Sequence, residues 1–174
     1  MKHIVLIGSL FVLLNCFQSS LYDLNVQSIS GSTVYMNSFR GSKIAVVIFN
    51  PAATNTSFLR SIDSLTRINT ELKIIAVPAK EFGATTTSSL VTLSQSFSSS
   101  VMMIRPCYVK KNAGANQEPL VKWLTSLSEN GHFDNDVIGA GQVFLVNRSG
   151  VLYGVIGGGT DLQTIRQASD QNIQ

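Results

Sequence analysis

Six consecutive apolar residues, Ile44-Ala45-Val46-Val47-Ile48-Phe49, constrain the fold of this 174-residue chain more than any other segment. A strand with one wet face would alternate polar and apolar positions. This run has no polar position, so it predicts a strand buried on both faces, with a packed layer on each side. Lys73-Ile74-Ile75-Ala76-Val77, stopped by Pro78, reads as a second short buried strand. Between the two, after a loop at Asn50–Thr56, Phe58, Leu59, Ile62, Leu65, Ile68 and Leu72 recur every three or four residues, the spacing of an amphipathic helix. Strand, helix and strand in that order point to a sheet with a parallel pair at its centre.

The flanking segments fill out the sheet. Tyr22–Val26 and Thr33–Met36, separated by Ser30-Gly31-Ser32, predict an N-terminal hairpin. A weaker helix is expected over Ser88–Phe97, then an extended Val101–Ile104. Pro119 is placed to open a third helix, with Leu120, Trp123, Leu124 and Leu127 on one stripe. Gln142–Val146, the turn Asn147-Arg148-Ser149-Gly150, and Val151–Ile156 read as a second hairpin. Thr160 and Gln163 have the spacing of a capping box for a last helix to about Ser169. The expected class is α/β, a mixed central sheet flanked by helices, with an N-terminal β-hairpin.

The N-terminus reads as an export segment. Lys2 and His3 precede the apolar-rich stretch Ile4–Leu14, too short to span a bilayer and of the length of a secretory h-region. Leu13-Leu14-Asn15-Cys16 resembles a bacterial lipobox, in which Cys16 would be acylated as the first mature residue, although Asn15 stands where a small residue is usual. Cleavage around Ser19–Ser20 is the other reading. Either way residues 1–20 form a signal segment and 21–174 the domain, and the product is exported: periplasmic, lipid-anchored or secreted. Thirteen Lys/Arg against ten Asp/Glu give a net +3 with no run of like charge, which disfavours nucleic acid as a partner. Membrane contact is expected only through the lipid anchor. Two cysteines make neither a disulfide framework nor a four-ligand zinc site, and no cofactor or metal is expected.

Several separated stretches resemble one family in the right order, the glutathione peroxidases, thiol and selenol peroxidases of the thioredoxin fold. Leu21-Tyr22-Asp23-Leu24 and Phe39-Arg40-Gly41-Ser42-Lys43 are similar to the family's opening hairpin and its Y-R-G-K approach to the first central strand. Val77-Pro78-Ala79-Lys80-Glu81-Phe82-Gly83 is similar to its F-P-C-N-Q-F-G. Lys110, then Gly114–Leu124, and Phe144–Gly150 resemble its K…N-G…P-L-Y-K-W-L and F-L-V-D-x-x-G segments. Together they span about residues 21–168.

The resemblance also assigns positions to the family's catalytic tetrad, and all four differ. Asn50-Pro51-Ala52-Ala53-Thr54-Asn55-Thr56 corresponds to the nucleophile loop, with Asn55 in place of the peroxidatic Cys or selenocysteine. A thiolate ionises near neutral pH and is oxidised stepwise, whereas a carboxamide does neither. Glu81 stands for the family glutamine, and Gly139 and Ala140 for its Trp-Asn pair. No cysteine lies in residues 50–60, and Thr85–Ser100 offers no resolving cysteine.

Cys107, after Pro106, is expected to be a structural thiol; Lys110 and Lys111 would lower its pKa if they faced it. His132, beside Asp134 and Asp136, reads as a solvated turn rather than a metal site. Gly157-Gly158-Gly159-Thr160 reads as a turn leading into the last helix rather than an anion site. Asn55-Thr56-Ser57 and Asn147-Arg148-Ser149 match glycosylation sequons. Three functions follow. The first is a catalytically degenerate homologue with a binding or structural role and an envelope partner. The second is a weak thiol peroxidase acting through Cys107 in the oxidative-stress response, with glutathione or thioredoxin as reductant. The third is a ligand-binding role for the old pocket, re-lined by Lys80, Glu81 and Asn55.

Overall fold

The computed structural model describes residues 19–51 and 54–171, and at 54–56 the backbone alone. Cys16 and most of the signal segment lie outside the described residues. The first element is a 3-10 turn at Leu21–Asp23, followed by a hairpin of β1 (Asn25–Gln27) and β2 (Thr33–Tyr35). Then come β3 (Lys43–Phe49), α1 (Thr54–Ile68), β4 (Leu72–Pro78), α2 (Ser88–Ser94) and β5 (Val101–Met103). α3 (Pro119–Thr125), α4 (Leu127–Asn130), β6 (Val143–Val146), β7 (Leu152–Ile156) and α5 (Leu162–Asp170) complete the described chain.

The five-stranded sheet has the order β5-β4-β3-β6-β7. β3 pairs parallel with β4 on one side and antiparallel with β6 on the other. Every residue of β3 is buried, as its unbroken apolar run requires. Alternate side chains of a strand point to opposite faces, so the run supplies two cores at once. Ile44, Val46 and Ile48 join Ile75, Val77, Phe144 and the α3 residues Leu120, Val121, Trp123 and Leu124. Ala45, Val47 and Phe49 join Leu59, Ile62 and Leu65 of α1, Leu90 of α2 and Ile165 of α5. Both cores are built from residues 21–165. The small hairpin closes the β5 edge, where Arg105 N donates to Gln27 O and Ile29 N to Met103 O, both at 2.9 Å.

Five local expectations are corrected. α1 begins at Thr54, so Thr54, Asn55 and Thr56 open a helix rather than finish a loop. Leu72 keeps the helical spacing but belongs to β4: the helix stops at Ile68, and Leu72 N bonds back to Asn69 O at 3.1 Å. Leu127 leaves the α3 stripe because Ser126 is extended, and its side chain is half-exposed. Asp161, not Thr160, caps α5: its carboxylate accepts from Thr164 N at 2.9 Å, and that backbone bond is the main cause of its lowered pKa. Thr160 donates instead to Gly157 O at 2.8 Å. Tyr22 and Asp23, expected in the first strand, lie in the 3-10 turn that precedes it.

The β6–β7 turn is locked by Tyr22. Its hydroxyl donates to Arg148 O at 2.9 Å, and the Arg40 guanidinium lies 4.2 Å from the ring centroid. Asn147 is buried, its Oδ1 accepting from Ser149 N at 3.0 Å and Val151 N at 2.9 Å, which closes that sequon to a glycan in the folded protein. Gly150 has φ +85°, and a Cβ there would stand 2.5 Å from the Tyr22 ring. Gly150→Ala combines left-handed strain with a clash against a ring that is itself hydrogen-bonded. It is expected to cost about 2–3 kcal/mol, read as a lowered denaturation midpoint with an unchanged slope.

Candidate functional site

β3 and β4 run parallel and finish in register, Phe49 opposite Pro78, so the segments that follow them leave the same edge of the sheet. Ala79 N donates to Phe49 O at 3.1 Å, continuing the pairing one step beyond the strands. β6 is antiparallel to β3, so the residues before it start at that edge too: Gly141 N donates to Ile48 O at 2.7 Å, and Ile48 N to Gln142 O at 2.9 Å. The topology therefore brings the backbones at Asn55, Glu81, Gly139 and Ala140 to one end of the sheet. The Asn55 side chain lies outside the described ones.

The side chains that are described do not converge there. Glu81 sits in a 3-10 turn, Lys80–Phe82, directly after β4. Its carboxylate faces the other way: Oε1 accepts from Val109 N and Lys110 N, both at 2.8 Å, and Oε2 from Val109 N at 3.1 Å. Glu81 acts as a cap on the 109–110 backbone. At Gly139 nothing stands within 4 Å of where a Cβ would be, so that position is open. Ala140 is pressed by the glycine turn: a Cβ on Gly158 would meet Ala140 O at 2.3 Å. That contact accounts for Gly158 by backbone approach, and the Asp161 carboxylate already occupies the start of α5.

Two clefts flank this edge. One, about 490 Å³, is bordered by Asn50, Pro51, Phe82, Gly83, Thr85 and Leu90. The other, about 460 Å³, is bordered by Lys80, Thr86, Arg105, Cys107, Tyr108 and Glu118. Lys80 and Glu81 thus do not line the cleft beside Asn50 and Pro51, contrary to the expectation of a single re-lined pocket. Lys80 lies over Tyr108, 4.8 Å from the ring centroid.

Cys107 belongs to the frame of the second cleft. Its amide donates to Pro78 O at 3.1 Å and its carbonyl accepts from Lys80 N at 2.9 Å, so its backbone extends the β4–β5 pairing. The residue is 7% exposed. Burial first, then the Glu118 and Glu81 carboxylates, push the thiol pKa well up, against weaker opposing effects of Lys80 and Arg105. Glu118 is itself raised, chiefly by burial. Lys110 and Lys111 are engaged elsewhere: Lys110 lies over the Phe82 ring, and Lys111 pairs with Asp134 at 2.6 Å. Asp136 accepts from Lys111 N at 2.9 Å, and His132 is exposed. Among the described residues no three His, Cys, Asp or Glu side chains gather to hold a metal ion, and no helix is long and apolar enough to cross a membrane.

No protein-family model matches the sequence, and no curated protein matches it significantly. Solved structures do. Trgpx in its apo form superposes with a TM-score of 0.67 at 18% identity, over 87% of this chain and 93% of that one. T. cruzi GPX1 gives 0.65 at 14% identity, over 86% and 94%. The exposed lipoprotein thioredoxin Etrx1 of Streptococcus pneumoniae gives 0.55 at 11%, over 84% and 97%. At these identities the likeness establishes the fold alone, and that fold is thioredoxin-like.

The raised thiol pKa has a measurable sign. The folded state holds the Cys107 proton where the unfolded chain, with a thiol pKa near ~8.5, releases it, so folding binds more protons in that range. The associated stability is fully present below about pH 8.5 and is lost as pH rises above it, by at most about 1.4 kcal/mol per pH unit. Tyr153, raised to about 12 by burial and by Asp170, adds to this only above about pH 10. Denaturant melts between pH 8 and 10 should show the decline, and Cys107→Ala should flatten it. Native-state alkylation of Cys107 at pH 7.5 is expected to run at least ~100-fold slower than that of a free thiol.

Proposed function

We propose that this chain is an exported, catalytically degenerate thioredoxin-fold protein of the glutathione-peroxidase-like kind, acting by binding or as structure in the cell envelope. The observation that carries the reading is the chemistry available at the end of β3. The peroxidase positions hold Asn55, Glu81, Gly139 and Ala140, and the Glu81 carboxylate is committed to the Val109 and Lys110 amides. Peroxide reduction needs an accessible sulfur anion with hydrogen-bond donors around it. A carboxamide at 55 supplies no such anion.

Export rests on the sequence: the apolar-rich stretch Ile4–Leu14 behind Lys2, then Cys16 as the point of lipid attachment. The likeness to the lipoprotein thioredoxin Etrx1 of Streptococcus pneumoniae is compatible with that setting. The cleft at Asn50, Pro51 and Phe82 is the surface offered to a partner or small ligand, because it opens at the end where thioredoxin-fold proteins present their chemistry.

A second reading keeps an enzyme, a thiol peroxidase using Cys107 with glutathione or thioredoxin. What favours it is the place of Cys107 on a polar cleft carrying Lys80 and Arg105. What weighs against it is burial and two nearby carboxylates, which hold the thiol protonated.

Peroxide turnover by the purified protein, supplied in turn with glutathione and with thioredoxin and its reductase, separates the two. No turnover above the protein-free rate is expected. Asn55→Cys should gain a low rate if the old site still accommodates a nucleophile. Parental turnover that disappears in Cys107→Ser would overturn the degenerate reading and make Cys107 the nucleophile.

A further inference from the structure

Ser19 and Ser20 fall in the stretch where signal cleavage is one of two sequence readings, yet both are built into the folded domain. The Trp123 indole N–H donates to Ser19 O at 2.8 Å, and the Ser19 hydroxyl donates to Glu129 Oε2 at 2.5 Å. Glu129 is also paired with Lys122 at 3.1 Å, and the Ser19 hydroxyl is the main cause of its lowered carboxyl pKa. Ser20 caps the first 3-10 turn: its Oγ accepts from Tyr22 N at 3.2 Å and its carbonyl from Asp23 N at 3.0 Å. Leu21 and Tyr22, which follow at once, are core residues.

A cut after Ser20 would delete every contact that Ser19 and Ser20 make. It would take from the Trp123 indole N–H its acceptor, in a bond made at a part-buried site, and such a hydrogen bond makes a modest net contribution to stability. A cut after Ser19 would remove the same acceptor and place a charged amine on the cap.

We propose that the N-terminal processing point lies upstream of Ser19, so that the mature protein keeps Ser19 as a latch on α3 and α4. This rests on the export reading above and narrows it: of the two processing sites legible in the sequence, only Cys16 leaves the latch intact. It also fixes where the chain leaves the domain. With Cys16 as the anchored residue, the three steps to Ser19 span at most about 11 Å. The α3–α4 face, with Lys122 and the exposed Leu127, is then the one turned toward the bilayer.

The test begins with the full chain, expressed with its own N-terminus in a bacterial host that processes lipoproteins. Peptide mass mapping reads the first residue of the product. A product that retains Ser19 is expected, with a diacylglyceryl mass on Cys16. A product starting at Ser20 or Leu21 leaves export standing and overturns the latch. A chain found only with residues 1–15 still attached removes the export reading, and the proposal with it. The second arm compares chains starting at residue 16, as Cys16→Ser, and at residue 21; the two cores lie within residues 21–165, so both fold. The shorter chain should melt roughly 3–6 °C lower. Trp123→Phe should lower the melting point of the longer chain more than that of the shorter. Equal melting of the two chains, or equal effects of Trp123→Phe in both, would sink the latch.

Discussion

The position of β3 is the constraint on which the rest of this molecule depends. It is bonded along both edges, to β4 and β6, and buried on both faces, so it has no freedom to shift register. A one-residue slip would exchange the side chains committed to the α3 side with those committed to the α1, α2 and α5 side. Because β4 is parallel to it and β6 antiparallel, three different connections meet at the end where β3 stops. The Ile48 amide and carbonyl, bonded to Gln142 O and Gly141 N, set that meeting point at the level of single hydrogen bonds. Anything that happens at this end of the sheet happens on loops whose roots are rigid and whose side chains are free to change.

That division allows the fold to persist while the side chains at this end of the sheet vary. The anchoring contacts at the edge are main-chain bonds and close backbone approaches, such as Gly158 against Ala140, and they do not depend on a thiol. The one cysteine among the described residues, Cys107, is on the β4–β5 side, held by backbone bonds to Pro78 and Lys80 and set among carboxylates. An activated thiol needs nearby positive charge or hydrogen-bond donors to its anion. Burial and the negative charge of Glu118 and Glu81 act in the opposite direction and outweigh Lys80 and Arg105.

Much of the fold was legible in the sequence because it is written in local patterns. The unbroken run at Ile44–Phe49 has one physical solution, a doubly covered strand, and Pro119 marks the start of α3. The errors arose where two patterns overlap. Leu72 lies four residues after Ile68, so helical spacing runs on across the Asn69–Thr70 turn into β4. Thr160 and Asp161 are adjacent cap residues, and the carboxylate that reaches Thr164 N wins. The alignment of Asn55, Glu81, Gly139 and Ala140 at one sheet end was readable through the family resemblance, as a matter of topology. The direction of the Glu81 side chain was not, since its partners at Val109 and Lys110 are 28 and 29 positions away. The docking of Ser19 on Trp123 spans 104 positions and leaves no trace in any local pattern.

Glu81 shows how this end of the sheet is tied to the segment beyond it. An amide side chain at that position has one acceptor oxygen; a carboxylate has two and a full charge, and accepts more strongly from backbone N–H groups. Here both oxygens are used, on amides that open the segment leading through Gln117 to α3. Gln117 in turn donates to Val109 O at 2.9 Å, so the same residue is held from two sides. The carboxylate therefore ties the edge of β4 to the segment that carries the α3 core helix. A negative charge also favours the protonated form of a thiol near it, as at Cys107. At Glu81 the charge is committed to the Val109 and Lys110 amides, where it holds the scaffold together.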